Sequence, residues 1–184
     1  MKVLVIADAD PGIDVVKTIK DEKIDIVITL GDLMGYELEG LETVDIPKIG
    51  VYGNHDGRRY MEYFGILDLN GRTCEVGGLT FGGLEGCVEY RGHVVEPMYS
   101  QEEARQILEG MPRVDVFVTH CPPRGINDED DVAHQGWDGL RDYLDEKKPR
   151  VLLHGHTYPA EWKMVREYKD TRIEYVRGYR VIEI

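Results

Sequence analysis

Apolar residues along this chain fall into short, uninterrupted runs separated by breaks rich in glycine and aspartate. Lys2 to Ala7, Ile24 to Leu30, Ile46 to Tyr52, Val114 to Thr119 and Arg150 to Leu153 are each brief and mostly aliphatic, the pattern of strands buried on both faces. Between them the period changes to that of helices. Ile13, Val16 and Ile19 share one face of a helix expected over roughly Ile13 to Glu22, with Asp10 as its N-cap and Pro11 as its first residue. A strand-helix-strand order implies a right-handed parallel crossover. Met34 to Asp45 is expected to be a loop with a turn of helix, and Arg58 to Phe64 a short helix. Arg72 to Val88 reads as two short strands joined through Gly77-Gly78. Tyr99 to Gly110 is a helix, opened by the capping box of Ser100 and Glu103 and stopped at Gly110-Met111-Pro112. Another helix is expected near Trp137 to Glu146, and the tail from Glu161 to Ile184 alternates enough for two or three antiparallel strands.

Each buried run ends in polar residues of a particular kind. The first run meets Asp8, the second Gly31-Asp32, the third Gly53-Asn54-His55-Asp56, the fourth His120 and the fifth His154-Gly155-His156. Ligands of open α/β sheets gather beyond the carboxyl ends of the strands, so these residues can converge although they are scattered in sequence. Taken singly, Asp8 and Asp32 read as ordinary turn aspartates, and Asp10 as a helix cap. Taken together, three aspartates held close would repel one another and partly protonate unless a cation neutralised them.

Length and charge narrow the field. The 184 residues carry a net charge of −13; the length suits one domain over residues 1–184, and the charge opposes a nucleic acid polymer as partner. A small anion remains admissible where cations reverse the local field. No apolar run reaches the ~20 residues of a membrane helix, and a first strand at Lys2 leaves no room for a signal peptide. Cys74, Cys87 and Cys121 form no CxxC pair, which suits a reducing, cytoplasmic compartment. Other nucleophiles fail on inventory: Ser100 is the sole serine, no cysteine is followed by arginine six residues on, and HExxH is absent. A metal-activated water is the chemistry that remains.

The order Asp8-x-Asp10, Gly31-Asp32-x-x-Gly35, Gly53-Asn54-His55-Asp56, Thr119-His120, Gly155-His156 resembles the calcineurin-like metallophosphoesterases, whose blocks run DxH, GDxxG, GNHD or GNHE, a histidine after a strand, and GHxH. The stretch from Thr119-His120-Cys121-Pro122-Pro123 through His134-Gln135-Gly136 to His154-Gly155-His156 is further similar to a small-phosphodiesterase branch. The resemblance implies an α/β/β/α sandwich of two sheets flanked by helices. It implies two divalent metal ions with Asp32 shared between them, Asp8 and Asp10 binding the first, and Asn54, His120 and His156 binding the second. It also implies a bridging hydroxide that attacks a small phosphate ester, His55 facing the leaving group and Asp56 orienting the His55 ring.

Two positions depart from the family pattern. Asp10 stands where histidine is usual, and Tyr158 replaces the second histidine of GHxH. Both changes fall on the first metal position, which becomes oxygen-rich and is expected to favour Mn, Fe or Mg, with Ni as a further candidate. The register of His154 before Gly155 argues against its compensating. His134 and Arg124 are candidate phosphate contacts, whereas His93 and Tyr36 are expected at the surface or rim. The alternative function is a nucleotide-binding or regulatory module whose degenerate site turns over little.

Overall fold

The computed structural model describes residues 1–57, 59–91 and 97–184. Arg58, the expected start of a helix, and His93 lie outside the described residues. In chain order the elements are β1 (Lys2–Ala7), α1 (Val15–Glu22), β2 (Ile26–Thr29), β3 (Lys48–Gly50), α2 (Tyr60–Phe64), β4 (Leu67–Asp68), β5 (Thr73–Val76), β6 (Leu79–Leu84), β7 (Cys87–Val88) and β8 (Met98–Tyr99). They continue as α3 (Gln101–Glu109), β9 (Val116–Thr119), α4 (Asp138–Lys147), β10 (Val151–His154), β11 (Glu167–Tyr168), β12 (Thr171–Tyr175) and β13 (Gly178–Glu183). Short 3-10 turns, Gly35–Leu38 and Leu41–Thr43, occupy the segment expected to be a loop with a turn of helix.

Two main sheets form the body. One has the order β13-β1-β2-β3-β4 and the other β11-β12-β10-β9-β6-β5, with β7 and β8 as a small separate pair. Alternation along each strand explains the layering. Val3, Val5 and Ala7 of β1 pack with Ile26 and Ile28 of β2 against Val116, Val118 and Leu153 of the other sheet. Leu4 and Ile6 face Val15 and Ile19 of α1 instead. On the far side Phe117 and Leu152 meet Ala104 and Leu108 of α3 and Leu140 and Leu144 of α4. The result is a helix, sheet, sheet, helix sandwich, as expected, and burial on both faces is why the central strands are apolar throughout.

Three expectations are corrected. The N-cap of α1 is Asp14, which accepts a hydrogen bond from the Lys17 amide at 2.8 Å. Asp10 instead accepts from the Gly12 amide at 2.7 Å, because Gly12 has a left-handed φ of 62° that turns the chain before the helix can start. The third strand is shorter than Ile46 to Tyr52, pairing over Lys48–Gly50. The tail does form three strands, and β11 pairs antiparallel with β12 as expected, but β12 also runs parallel to β10, and β13 crosses to the other sheet and pairs antiparallel with β1.

Candidate metal centre

Strands β1, β2 and β3 are parallel in one sheet, β9 and β10 in the other, and the His156 amide past β10 donates to Asp8 Oδ1 past β1 at 3.0 Å, so their carboxyl ends open on the same edge of the sandwich. Backbone hydrogen bonds fasten those ends together. The Asp8 amide donates to Gly31 O at 3.1 Å and the Gly155 amide to His120 O at 2.9 Å. Asp8, Asp32 and His156 all take left-handed φ values, 61°, 54° and 69°, a conformation uncommon outside glycine. The ends also meet across the two sheets where Asp32 Oδ2 lies 3.5 Å from His120 Nε2.

The imidazoles show what this junction is for. His120 is fully buried, and its Nδ1–H donates to Leu30 O at 2.8 Å. The Nε2–H of His156 donates to Ala133 O at 2.8 Å. A carbonyl only accepts, so these bonds assign each ring its proton and leave a lone pair on its other nitrogen. Those two lone-pair nitrogens, His120 Nε2 and His156 Nδ1, lie 3.1 Å apart. Asn54 Oδ1 is 3.0 Å from His120 Nε2 and Asp32 Oδ2 is 3.5 Å from it. Four acceptors thus converge with no proton between them, an arrangement that calls for a cation. Carboxylate oxygens of Asp8 and Asp32 lie together with a nitrogen of His120 within 4.8 Å.

Electrostatics agree with the geometry. Burial pushes the Asp8 carboxyl up to about 8, with the neighbouring Asp32 charge adding to the rise and the His156 amide and Arg177 opposing it. Burial also raises Asp32, against the hydrogen bond from the His55 amide. Burial lowers both His120 and His156 to about 3, which keeps the rings neutral and able to ligate.

Not every expected residue joins this cluster. Asp10 is exposed and its carboxylate is engaged with Gly12, outside the Asp8, Asp32 and His120 group. The Asp56 carboxylate does not serve the His55 ring. It accepts from the amides of Gly53 (2.7 Å), Asp32 (2.8 Å) and Leu33 (3.0 Å) and so splices the second and third strand ends. The His55 amide donates to Asp32 Oδ1 at 2.8 Å, while its exposed ring acts electrostatically on Asp32 and His120. His154 is buried away from the cluster, with Nε2 2.9 Å from the Asn127 amide nitrogen. Arg124 pairs with Asp128 at 3.6 Å. His134 hydrogen bonds Asp131 at 2.9 Å and stands with its ring 5.3 Å from that of His156. The orienting carbonyls of Leu30 and Ala133 were missed from sequence, since backbone acceptors leave no signal in residue type.

A family model described as calcineurin-like phosphoesterase matches residues 1–160. The chain belongs to the calcineurin-like phosphoesterases. Metal-dependent hydrolysis of phosphate esters is what membership implies, and the acceptor cluster fits the divalent ions that the family uses. Among solved structures, TT1561 of Thermus thermophilus has a TM-score of 0.63 at 16% identity, covering 84% of this chain and 80% of that one. A hypothetical protein from the same organism has a TM-score of 0.55 at 20% identity, over 95% and 75%. GAP50, the anchor in the inner membrane complex of Plasmodium, has a TM-score of 0.53 at 12% identity, over 96% and 72%. At these identities the likeness is one of fold. None of the curated proteins matches in sequence. Among the described residues no helix of this phosphoesterase is long and apolar enough to cross a membrane.

Proposed function

We propose that this chain hydrolyses small phosphodiesters with divalent cations, manganese preferred, as a cytoplasmic enzyme. The observation that carries the reading is the pair of facing lone-pair nitrogens of His120 and His156, closed by Asn54 Oδ1 and Asp32 Oδ2. Neutral imidazoles beside amide and carboxylate oxygens are a donor set for a borderline-hard ion such as Mn. Asp32, Asn54, His120 and His156 would hold one cation firmly. Asp8 and Asp32 would hold a second more weakly, because the Asp10 carboxylate is committed to Gly12. Bound there, divalent cations supply the charge that neutralises a phosphate ester and acidify the water that attacks it.

The chain's own residues do the rest. Asp56 fixes the loop that presents Asn54 and His55 by accepting three backbone amides. His55, exposed and joined to Asp32 through its backbone amide, would give a proton from its ring to the departing oxygen. Unpaired Cys74, Cys87 and Cys121 accord with a reducing compartment. Hydrolysis of bis-p-nitrophenyl phosphate with added Mn or Ni tests the reading. His55→Ala is expected to lower kcat by roughly 10²- to 10⁴-fold, the usual worth of a general acid, with bound metal unchanged. Asp32→Asn is expected to lose both turnover and bound metal. Turnover that survives both substitutions, or none with any metal, overturns the proposal.

A further inference from the structure

The segment joining β12 to β13 brings a positive charge to the weaker side of this centre. Tyr175 lies opposite His154 in the parallel pairing with β10, and the Val176 amide donates to His154 O at 2.9 Å. Gly178 lies opposite Ala7 in the antiparallel pairing with β1. Arg177 is therefore held between the end of β1, where Asp8 follows Ala7, and the end of β10, where Gly155 and His156 follow His154. The two sheets meet at this residue. Gly178 takes a left-handed φ of 76°, which lets the chain leave one sheet and enter the other in a single step.

The guanidinium is committed to no carboxylate here. Arg172 and Arg180 of the neighbouring strands pair with Glu174 at 3.3 and 2.8 Å, whereas no ion pair involves Arg177 among the described residues. Instead its Cζ lies 4.9 Å from the centroid of the Tyr158 ring. Tyr158 is itself exposed and meets His134 edge-on, with ring centroids 5.9 Å apart. An aromatic face steers a guanidinium without using up its N–H donors. Ala9, Asp10, Pro11, Arg177 and Gly178 line the opening at this edge, and the charge of Arg177 acts on the buried Asp8 carboxyl.

An anionic ester approaching this chain must overcome a net charge of −13 and the clustered carboxylates of Asp8, Asp32 and Asp56. A planar fork of donors at the rim, adjacent to the sparsely ligated side of the centre, suits two non-bridging phosphate oxygens. We propose that Arg177, steered by the ring of Tyr158, binds the phosphoryl group of the substrate on the Asp8 side of the site. This contact rests on the phosphoesterase reading and deepens it. It makes Arg177 a substrate-binding residue and Tyr158 the positioning residue that acts through it.

Calorimetric titration of inorganic phosphate onto the manganese-loaded protein tests this without requiring turnover. Arg177→Gln is expected to weaken phosphate binding about tenfold or more, the scale of one charge-assisted hydrogen bond. Arg177→Lys should recover part of the loss, because charge returns without the fork. Tyr158→Ala should weaken binding by less than Arg177→Gln, and Arg180→Gln, whose charge is already paired, should leave it unchanged. Bound manganese per chain should be the same in all four. In the diester assay Arg177→Gln should act chiefly on KM. Turnover in the wild type with phosphate affinity unaltered in Arg177→Gln overturns this inference and leaves the phosphoesterase reading standing. Arg177-dependent phosphate binding without turnover does the reverse. Loss of manganese along with phosphate in Arg177→Gln also overturns it, since Arg177 would then be supporting Asp8.

Discussion

The ligand-bearing strand ends are packed so closely that side chains on neighbouring glycines would displace the ligands themselves. A Cβ built on Gly53 would come within 2.2 Å of Asp32 Oδ1, and one on Gly155 within 2.1 Å of Asp8 Oδ2. Neither contact can be relieved without moving a carboxylate. Gly53→Ala and Gly155→Ala are therefore expected to bind less manganese per chain after gel filtration, at an overpacking cost of roughly 1–3 kcal/mol in thermal unfolding. Full metal content in both variants would show that the close approach has no bearing on binding. At Asp56 the expectation differs. Asp56→Ala strips three backbone amides of their acceptor, and should cost about 3 kcal/mol in urea unfolding of metal-free protein. His55→Ala, at an exposed ring, should cost little. The candidate ligands were legible in sequence because each is a metal-type residue directly after an apolar run. The destination of Asp10 was not, since a carboxylate two residues before a glycine suits a local turn as well as a ligand position. The role given to Asp56 came from the family resemblance, and the three backbone amides its carboxylate accepts leave no signal in residue type.

Among the elements, the pairing of β6 with β9 shows how register is fixed where two parallel strands begin. Asp115, just before β9, accepts from the Thr80 amide at 3.0 Å and the Thr80 hydroxyl at 2.8 Å, and its own amide donates to Thr80 Oγ1 at 2.9 Å. These bonds hold the Asp115 carboxyl below the ordinary carboxylate range. A group whose folded pKa is depressed contributes stability that is present above its unfolded pKa and lost as pH falls through its folded one. Asp115→Asn should accordingly cost about 1 kcal/mol at pH 7, with the gap to wild type closing below about pH 4. Equal gaps at pH 7 and pH 3 would contradict this. The strands themselves were legible from continuous apolar runs. Their sheet membership in the tail was not, because alternation marks strands without saying which sheet each joins, and β12 and β13, separated by a left-handed glycine at 178, lie in different sheets.

For the molecule as a whole, the centre is a joint between two sheets. One supplies Asp8, Asp32 and Asn54 beyond β1, β2 and β3, and the other supplies His120 and His156 beyond β9 and β10. A cation bound by both sides is available to the folded chain alone, since unfolding separates ligands that lie far apart in sequence. Binding restricted to the native state stabilises it by about 2.7 kcal/mol at a free concentration one hundredfold above Kd, and in a chain of this length that corresponds to roughly 5–10 °C in Tm. Manganese should therefore raise the unfolding temperature by several degrees, and a chelator should reverse the gain. Asp32→Asn should abolish it, because Asp32 serves both candidate positions. Asp10→Asn should leave most of it intact, because the Asp10 carboxylate lies with Gly12 and outside the cluster. If Asp10→Asn removed the gain as completely as Asp32→Asn, the Asp10 side chain would have to swing inward on binding. The oxygen-rich first position would then be as strong as the second.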